Sequence, residues 1–198
     1  MIGLARVIII ACGTLTGQPP AVFTTPVDFF REEITIEISD SVAAVLGVYY
    51  FRNNTGRDRP FPVIFPFYVD SVTSYPDKIN AYTIDGDDTL TINFKPLVER
   101  DCVRMAVPMK PKAVTVWYLE YRQRIEAPHA RYILTSTAAW KKPLEEATYR
   151  FIAPVSYDIT SVWPEPDNTE IAGENKIFKS ERKNFMPERD MEIIWERQ

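Results

Sequence analysis

Histidine, the side chain best suited to move protons near neutral pH, occurs once in this chain, as His129 between Pro128 and Ala130. A catalytic triad needs a nucleophile, a base and an orienting acid, and no Gly-x-Ser-x-Gly elbow accompanies His129. It reads as a surface turn at a strand edge. Cys12 and Cys102 are the two cysteines, so the chain offers three Cys/His side chains where a structural zinc site takes four. The run Asp85-Gly86-Asp87-Asp88, with Asp70 and Asp77 further off, supplies the hard oxygen donors that Ca²⁺ takes. Its spacing is not that of an EF-hand and Asp-Gly is a hairpin-turn signal, so no metal is expected. Glu32/Glu33 and Glu145/Glu146 are carboxylate pairs of the kind glycosidases use. Neighbours on a strand point to opposite faces, so neither pair alone makes a facing acid and base. Both read as solvated or gatekeeping charge. Neither Gly-x-Gly-x-x-Gly nor a Walker A run occurs among seven scattered glycines, and no cofactor is expected. The sequence reads as no enzyme.

Four tryptophans carry the remaining chemistry. Trp117 sits in the middle of an alternating run and reads as core. Trp140, before Lys-Lys-Pro, and Trp163, before Pro-Glu-Pro, sit at loop margins. There an indole serves as a stacking platform for a sugar or peptide, or plugs the open end of a β-sandwich. Trp140 and Trp163 are therefore the candidate ligand-binding residues.

The elements that would position them are strands. Ile34-Thr35-Ile36-Glu37-Ile38 alternates, Ser39-Asp40 turns, and residues 42–51 run back, followed by the polar turn Asn53-Asn54-Thr55-Gly56 and then Val63-Ile64-Phe65-Pro66-Phe67. Further strands are read at 71–74, 79–84, 90–94, 103–107, 113–125, 130–137, 147–151, 159–163, 176–179 and 191–195. In the longest, Thr115, Trp117, Leu119, Tyr121 and Ile125 share one face and Glu120, Arg122 and Arg124 the other. Helix competes at 143–149, where Pro143 precedes two glutamates, but alternation and shortness favour strand. Aromatics at 13% and sixteen prolines against seven glycines point the same way. The fold class expected is all-β, an antiparallel β-sandwich of two packed halves.

The chain has 198 residues and a net charge of −4, which argues against a nucleic-acid platform. At its start a positive charge, Arg6, precedes Val7-Ile8-Ile9-Ile10-Ala11-Cys12-Gly13, which resembles a secretory signal; Ile9-Ile10-Ala11-Cys12 also resembles a bacterial lipobox, which would make Cys12 a lipidation site and attach the protein to a membrane. The same residues also read as a first strand tucked into the sheet. No run reaches the ~18 apolar residues that span a bilayer as a helix. The expected organisation is a signal-like segment and linker over 1–20, an N-terminal β-sandwich domain over 21–109 and a C-terminal β-rich domain over 110–198, divided at Lys110-Pro111-Lys112. Asn53-Asn54-Thr55 matches a glycosylation sequon, a pattern common by chance.

Residues 43–53 (Ala-Ala-Val-Leu-Gly-Val-Tyr-Tyr-Phe-Arg-Asn) followed by Val63-Ile64-Phe65-Pro66-Phe67 resemble the strand–Phe-x-Asn–turn–Phe-Pro pattern of vault/inter-alpha-trypsin-type domains. Ala130-Arg131-Tyr132-Ile133-Leu134-Thr135 with Trp140-Lys141-Lys142-Pro143-Leu144 is similar to segments of secreted bacterial families of unknown function. The resemblance implies a β-sandwich and a role in adhesion or scaffolding, and carries no catalytic residue. Together these observations point to a non-enzymatic, extracytoplasmic protein (periplasmic, envelope-associated or secreted) acting as a structural or protein-interaction module. A carbohydrate- or ligand-binding module using loop aromatics and a hydrolase with dispersed residues are the alternatives. The protein or glycan partner is not legible.

Overall fold

The computed structural model describes residues 26–58 and 60–196, so the lipobox-like Cys12 and residues 1–20 lie outside the described residues. The expected all-β class is what the chain adopts, with fourteen strands and two 3₁₀ segments among the described residues. Strands β1 (Val27–Ile38) and β2 (Val42–Asn53) form the long first hairpin, with Ile34, Ile36 and Ile38 facing inward against Ala43 and Val45. β8 (Val114–Arg124) pairs with β2, and β4 (Lys78–Asp85) pairs with β8. β5 (Asp88–Thr91) closes the edge through a two-residue turn, where Gly86 takes φ +64° at the position that requires it. On the other side of β1 lie β10 (Leu144–Pro154), β13 (Asn175–Phe185) and β12 (Asn168–Ala172). The eight strands make one sheet, ordered β12-β13-β10-β1-β2-β8-β4-β5. Its pairs are antiparallel except β1 with β10, which run parallel from Arg31↔Glu146 to Glu37↔Ile152.

Two three-stranded sheets pack on the inner face of this sheet in one continuous core. One is β3 (Phe61–Pro66), β7 (Cys102–Val107) and β6 (Phe94–Leu97). The other is β11 (Asp158–Trp163), β14 (Met191–Glu196) and β9 (His129–Tyr132). The halves expected from the sequence are thus two small sheets that share one large partner. Lys110-Pro111-Lys112 is the crossover from β7 into β8, and β8 lies between β2 and β4. Residues on both sides of that point therefore belong to one sheet.

Alternation explains the long strands. Trp117, Leu119, Tyr121 and Ile125 are all buried, as their shared face requires, and Trp117 stacks on Tyr49, its register partner, at 4.4 Å between centroids. Segment 143–149 is strand, with Ala147, Tyr149 and Phe151 inward. Three expectations fail, each for an identifiable reason. Residues 71–74 form a turn in which Asp70 Oδ1 accepts the N–H groups of Val72 and Thr73, leaving one bridge, Thr73 to Ile125. The strand read at 90–94 is broken where the chain leaves one sheet for the other, Leu90 pairing in the large sheet and Phe94 against Met105. The strand read at 130–137 stops at Tyr132 and a 3₁₀ segment follows at Thr135–Trp140. Asp190 Oδ1, from the loop before β14, accepts the N–H groups of Leu134 and Thr135 and the Thr135 hydroxyl. This distant carboxylate supplies the cap that the local sequence lacks.

Candidate functional site

The two small sheets present edge strands, β3 and β9, with a gap between them above the middle of the large sheet. The gap is a cleft of about 570 Å³. Its floor comes from Phe29 and Glu32 of β1, Tyr49 and Phe51 of β2, and Trp117 of β8; its walls come from β3, from Tyr132 of β9 and from the 3₁₀ segment ending at Trp140. Ile64, 63% exposed on the β3 edge, stands at the rim.

A bulge in β1 builds the floor. Phe29 pairs with Phe51 and Arg31 with Tyr50, so Phe30 is the extra residue and the inward parity shifts by one. Phe29 and Glu32 therefore both face inward. Phe29 stacks on Phe51 at 4.9 Å, and Trp140 closes over both at 5.7 and 5.3 Å. Gly47 faces the same way on β2. A Cβ there would lie 2.0 Å from the Tyr49 hydroxyl, so glycine makes room for that phenol. The Tyr49 hydroxyl meets that of Tyr132 at 2.8 Å.

Glu32 is the ionisable carboxyl of this lining, 2% exposed. Tyr149 on β10 donates its hydroxyl to Glu32 Oε1 at 2.8 Å. Burial pushes the Glu32 carboxyl up to about 7, against the opposing pull of that hydrogen bond. The Tyr49, Tyr132 and Tyr149 phenols are held protonated, by burial above all. Trp117, 1% exposed, lines the cleft with an indole N–H that has no hydrogen-bond partner. An aromatic slot with one acid and a few fixed donors is suited to holding a small molecule.

Sequence reasoning read Glu32 as solvated charge, and this is corrected: Glu33 faces outward, but Glu32 is buried. The signal was present, because the Ile34-Ile36-Ile38 alternation extended back by two residues lands on Glu32. Trp140 stands where the cleft needs an aromatic wall. Trp163 does not line the cleft; it packs on Phe185 at 6.3 Å, with the Arg189 guanidinium 5.0 Å above its ring. Nor does His129. Its Nε2 lies 3.8 Å from Asp70 Oδ2, and the nearby hydroxyl is the Tyr68 phenol, which donates to that same carboxylate and is held protonated mainly by burial. A protonated phenol is a poor nucleophile.

Cys102 is a buried free thiol. Asp85–Asp88 is the hairpin turn, and Asp85 pairs with Lys110 at 2.8 Å. The sequon residue Asn53 is 2% exposed; its amide donates to the Arg57 and Lys110 carbonyls and its Oδ1 accepts from Thr55. A side chain so engaged is not presented to a glycosyltransferase. On the outer face of the large sheet, a shallower hollow of about 350 Å³ is lined by charges of both signs, among them Glu37, Lys78, Glu120 and Arg122.

No protein-family model matches the chain, and no curated protein does. Among solved structures it is similar to a proposed nutrient binding protein from Legionella pneumophila, 11% identical, with a TM-score of 0.61 over 86% of this chain and 67% of that one. It is also matched by a proposed protease from Parabacteroides distasonis, 10% identical, with a TM-score of 0.48 over 86% of this chain and 40% of that one. The first likeness shows a shared fold; the second carries no argument. Neither neighbour is a vault or inter-alpha-trypsin-type domain.

Proposed function

We propose that the protein is a non-enzymatic, extracytoplasmic binding module whose ligand is a small, largely apolar molecule seated in the cleft between β3 and β9. One observation carries the reading: the middle of the large sheet is left uncovered by both small sheets, and the space is lined by aromatic rings around a single buried carboxyl. Its volume falls in the range of about 300–1,000 Å³ typical of small-ligand sites. The nutrient-binding role proposed for the Legionella neighbour supports the same direction, and the signal-like N-terminus supports export. This reading ranks ligand binding above the structural or protein-interaction role that the sequence favours, because a purely structural domain is served by close packing and not by an aromatic-lined cleft.

Trp117 and Trp140 make the cleft self-reporting. A library of small aromatic and aliphatic compounds, screened by tryptophan fluorescence, is expected to yield ligands that change emission and raise the melting temperature. Trp140→Ala is expected to weaken them about tenfold or more, and Trp163→Ala to leave them unchanged. Ligands that bind the Trp140→Ala variant as tightly as the wild type would place their site elsewhere.

A further inference from the structure

We infer that the cleft recognises an organic cation, a small amine or quaternary ammonium on an apolar body, with its charge seated between the aromatic rings and the Glu32 carboxylate. This rests on the cleft being the ligand site, and names what that site selects. The described residues lining it carry charge of one sign: Glu32 is acidic, and no lysine, arginine or histidine is among them. The side chains lining the cleft around the acid are largely aromatic, Phe29, Tyr49, Phe51 and Trp140 among them. An aromatic face is the negative end of a quadrupole, and it attracts a cation most strongly where water is excluded. An anion entering here would meet a carboxylate and electron-rich rings, with nothing positive to receive it. A neutral apolar ligand would fill the volume but leave the acid without a counter-charge.

The groups facing Glu32 are consistent with this. Tyr149 of β10 donates to one carboxylate oxygen. Tyr49 of β2 and Tyr132 of β9 lie in its field and bond to each other, and Tyr121 of β8 lies in theirs. On β13, Arg182 acts on Tyr149, but its guanidinium is committed to Asp167 at 2.8 Å. The tyrosines are neutral, so the positive charge has to arrive with the ligand. A bound cation stabilises the ionised acid, so uptake near neutral pH expels a proton. Affinity then rises with pH through about 7, where the free acid is half ionised, and levels off above it.

Benzyltrimethylammonium, whose charge does not titrate, and neopentylbenzene, its neutral carbon isostere, separate these contributions. Calorimetry near pH 8 is expected to show the cation binding the wild type about tenfold or more tightly than the isostere. The Glu32→Gln variant keeps the acceptor for Tyr149, and within that variant the ratio of the two affinities should fall from about tenfold toward one. Titrations of the wild type in two buffers of different ionisation enthalpy, near pH 6.5, should show proton release on cation binding. This readout needs no variant to fold. Equal affinity for the two compounds, or a cation preference that survives in Glu32→Gln with no proton release, overturns the inference while leaving the cleft a ligand site. Failure of both compounds and of the wider library to bind removes the cleft reading, and this inference with it.

Discussion

Glu32 and Glu33 are neighbours in the chain, and each accepts a tyrosine hydroxyl at 2.8 Å, from Tyr149 and Tyr50 respectively. There the likeness ends. Glu33 lies on the outer face, where the Arg31 guanidinium also reaches it at 2.8 Å and water reaches both. Glu32 lies on the inner face, buried at the floor of the cleft with no cation among the described residues that line it, and its carboxyl is pushed up to about 7. One step along a strand reverses a side chain and replaces solvent with a low-dielectric interior. The same functional group becomes surface charge in one setting and a poised acid in the other.

The strongest way to break this contrast is to reverse the charge on each face. Glu32→Lys buries an ammonium beside hydroxyls alone, and it is expected to cost about 3–5 kcal/mol in urea unfolding. Glu33→Lys should cost about 1 kcal/mol or less, because the outer face is hydrated. The next effect follows from pH. The Glu32 carboxyl is raised in the folded protein, so the folded state holds its proton longer than the unfolded chain does. The contribution of Glu32 to stability, read as the wild type minus Glu32→Gln, should therefore fall as pH rises from about 4.5 to 7 and flatten beyond, by on the order of 3 kcal/mol. The variant should be the more stable protein near pH 8; a parallel pH dependence in the two proteins would show that Glu32 is not the titrating group.

Gly47→Ala tests the inner face without altering charge. The added methyl competes with the Tyr49 hydroxyl, and a loss of about 1–3 kcal/mol is expected, together with weaker ligand binding. The smallest effect belongs to the outer face. Tyr50→Phe removes the hydrogen bond to Glu33 and should cost about 1 kcal/mol or less by thermal unfolding. A larger loss there than in Gly47→Ala would invert the proposed order of the two faces.

The long strands were legible because period-two alternation is local: Ile34-Ile36-Ile38 and Trp117-Leu119-Tyr121 announce both strand and face. The hairpin at Asp85–Asp88 was legible through its glycine. β12 was not, because every residue of Asn168–Ala172 is exposed and an edge strand with two wet faces has no pattern to show. The 3₁₀ segment that brings Trp140 to the cleft depends on Asp190, which no local reading could connect to Thr135. Of the two tryptophans singled out, loop position described both equally, and tertiary packing separated them. Glu32 is within reach of the alternation argument, two residues before Ile34 on the same face of the strand. The bulge at Phe30 then set Phe29 beside it, and pairing register is not written in either residue alone.

The parallel pairing of β1 with β10 has a consequence for biosynthesis. Glu32 and Tyr149 are 117 residues apart in the chain, so while β1 is leaving the ribosome its eventual neighbour has not been made. Until β10 docks, that side of β1 is an unmade edge and the acid stays hydrated and ionised. Closing the sheet and neutralising the carboxyl are then a single late event, and contacts of such separation are those that make folding slow. A nascent chain halted before residue 144 carries much of the cleft's aromatic floor but not the strand that seals its acid away from water.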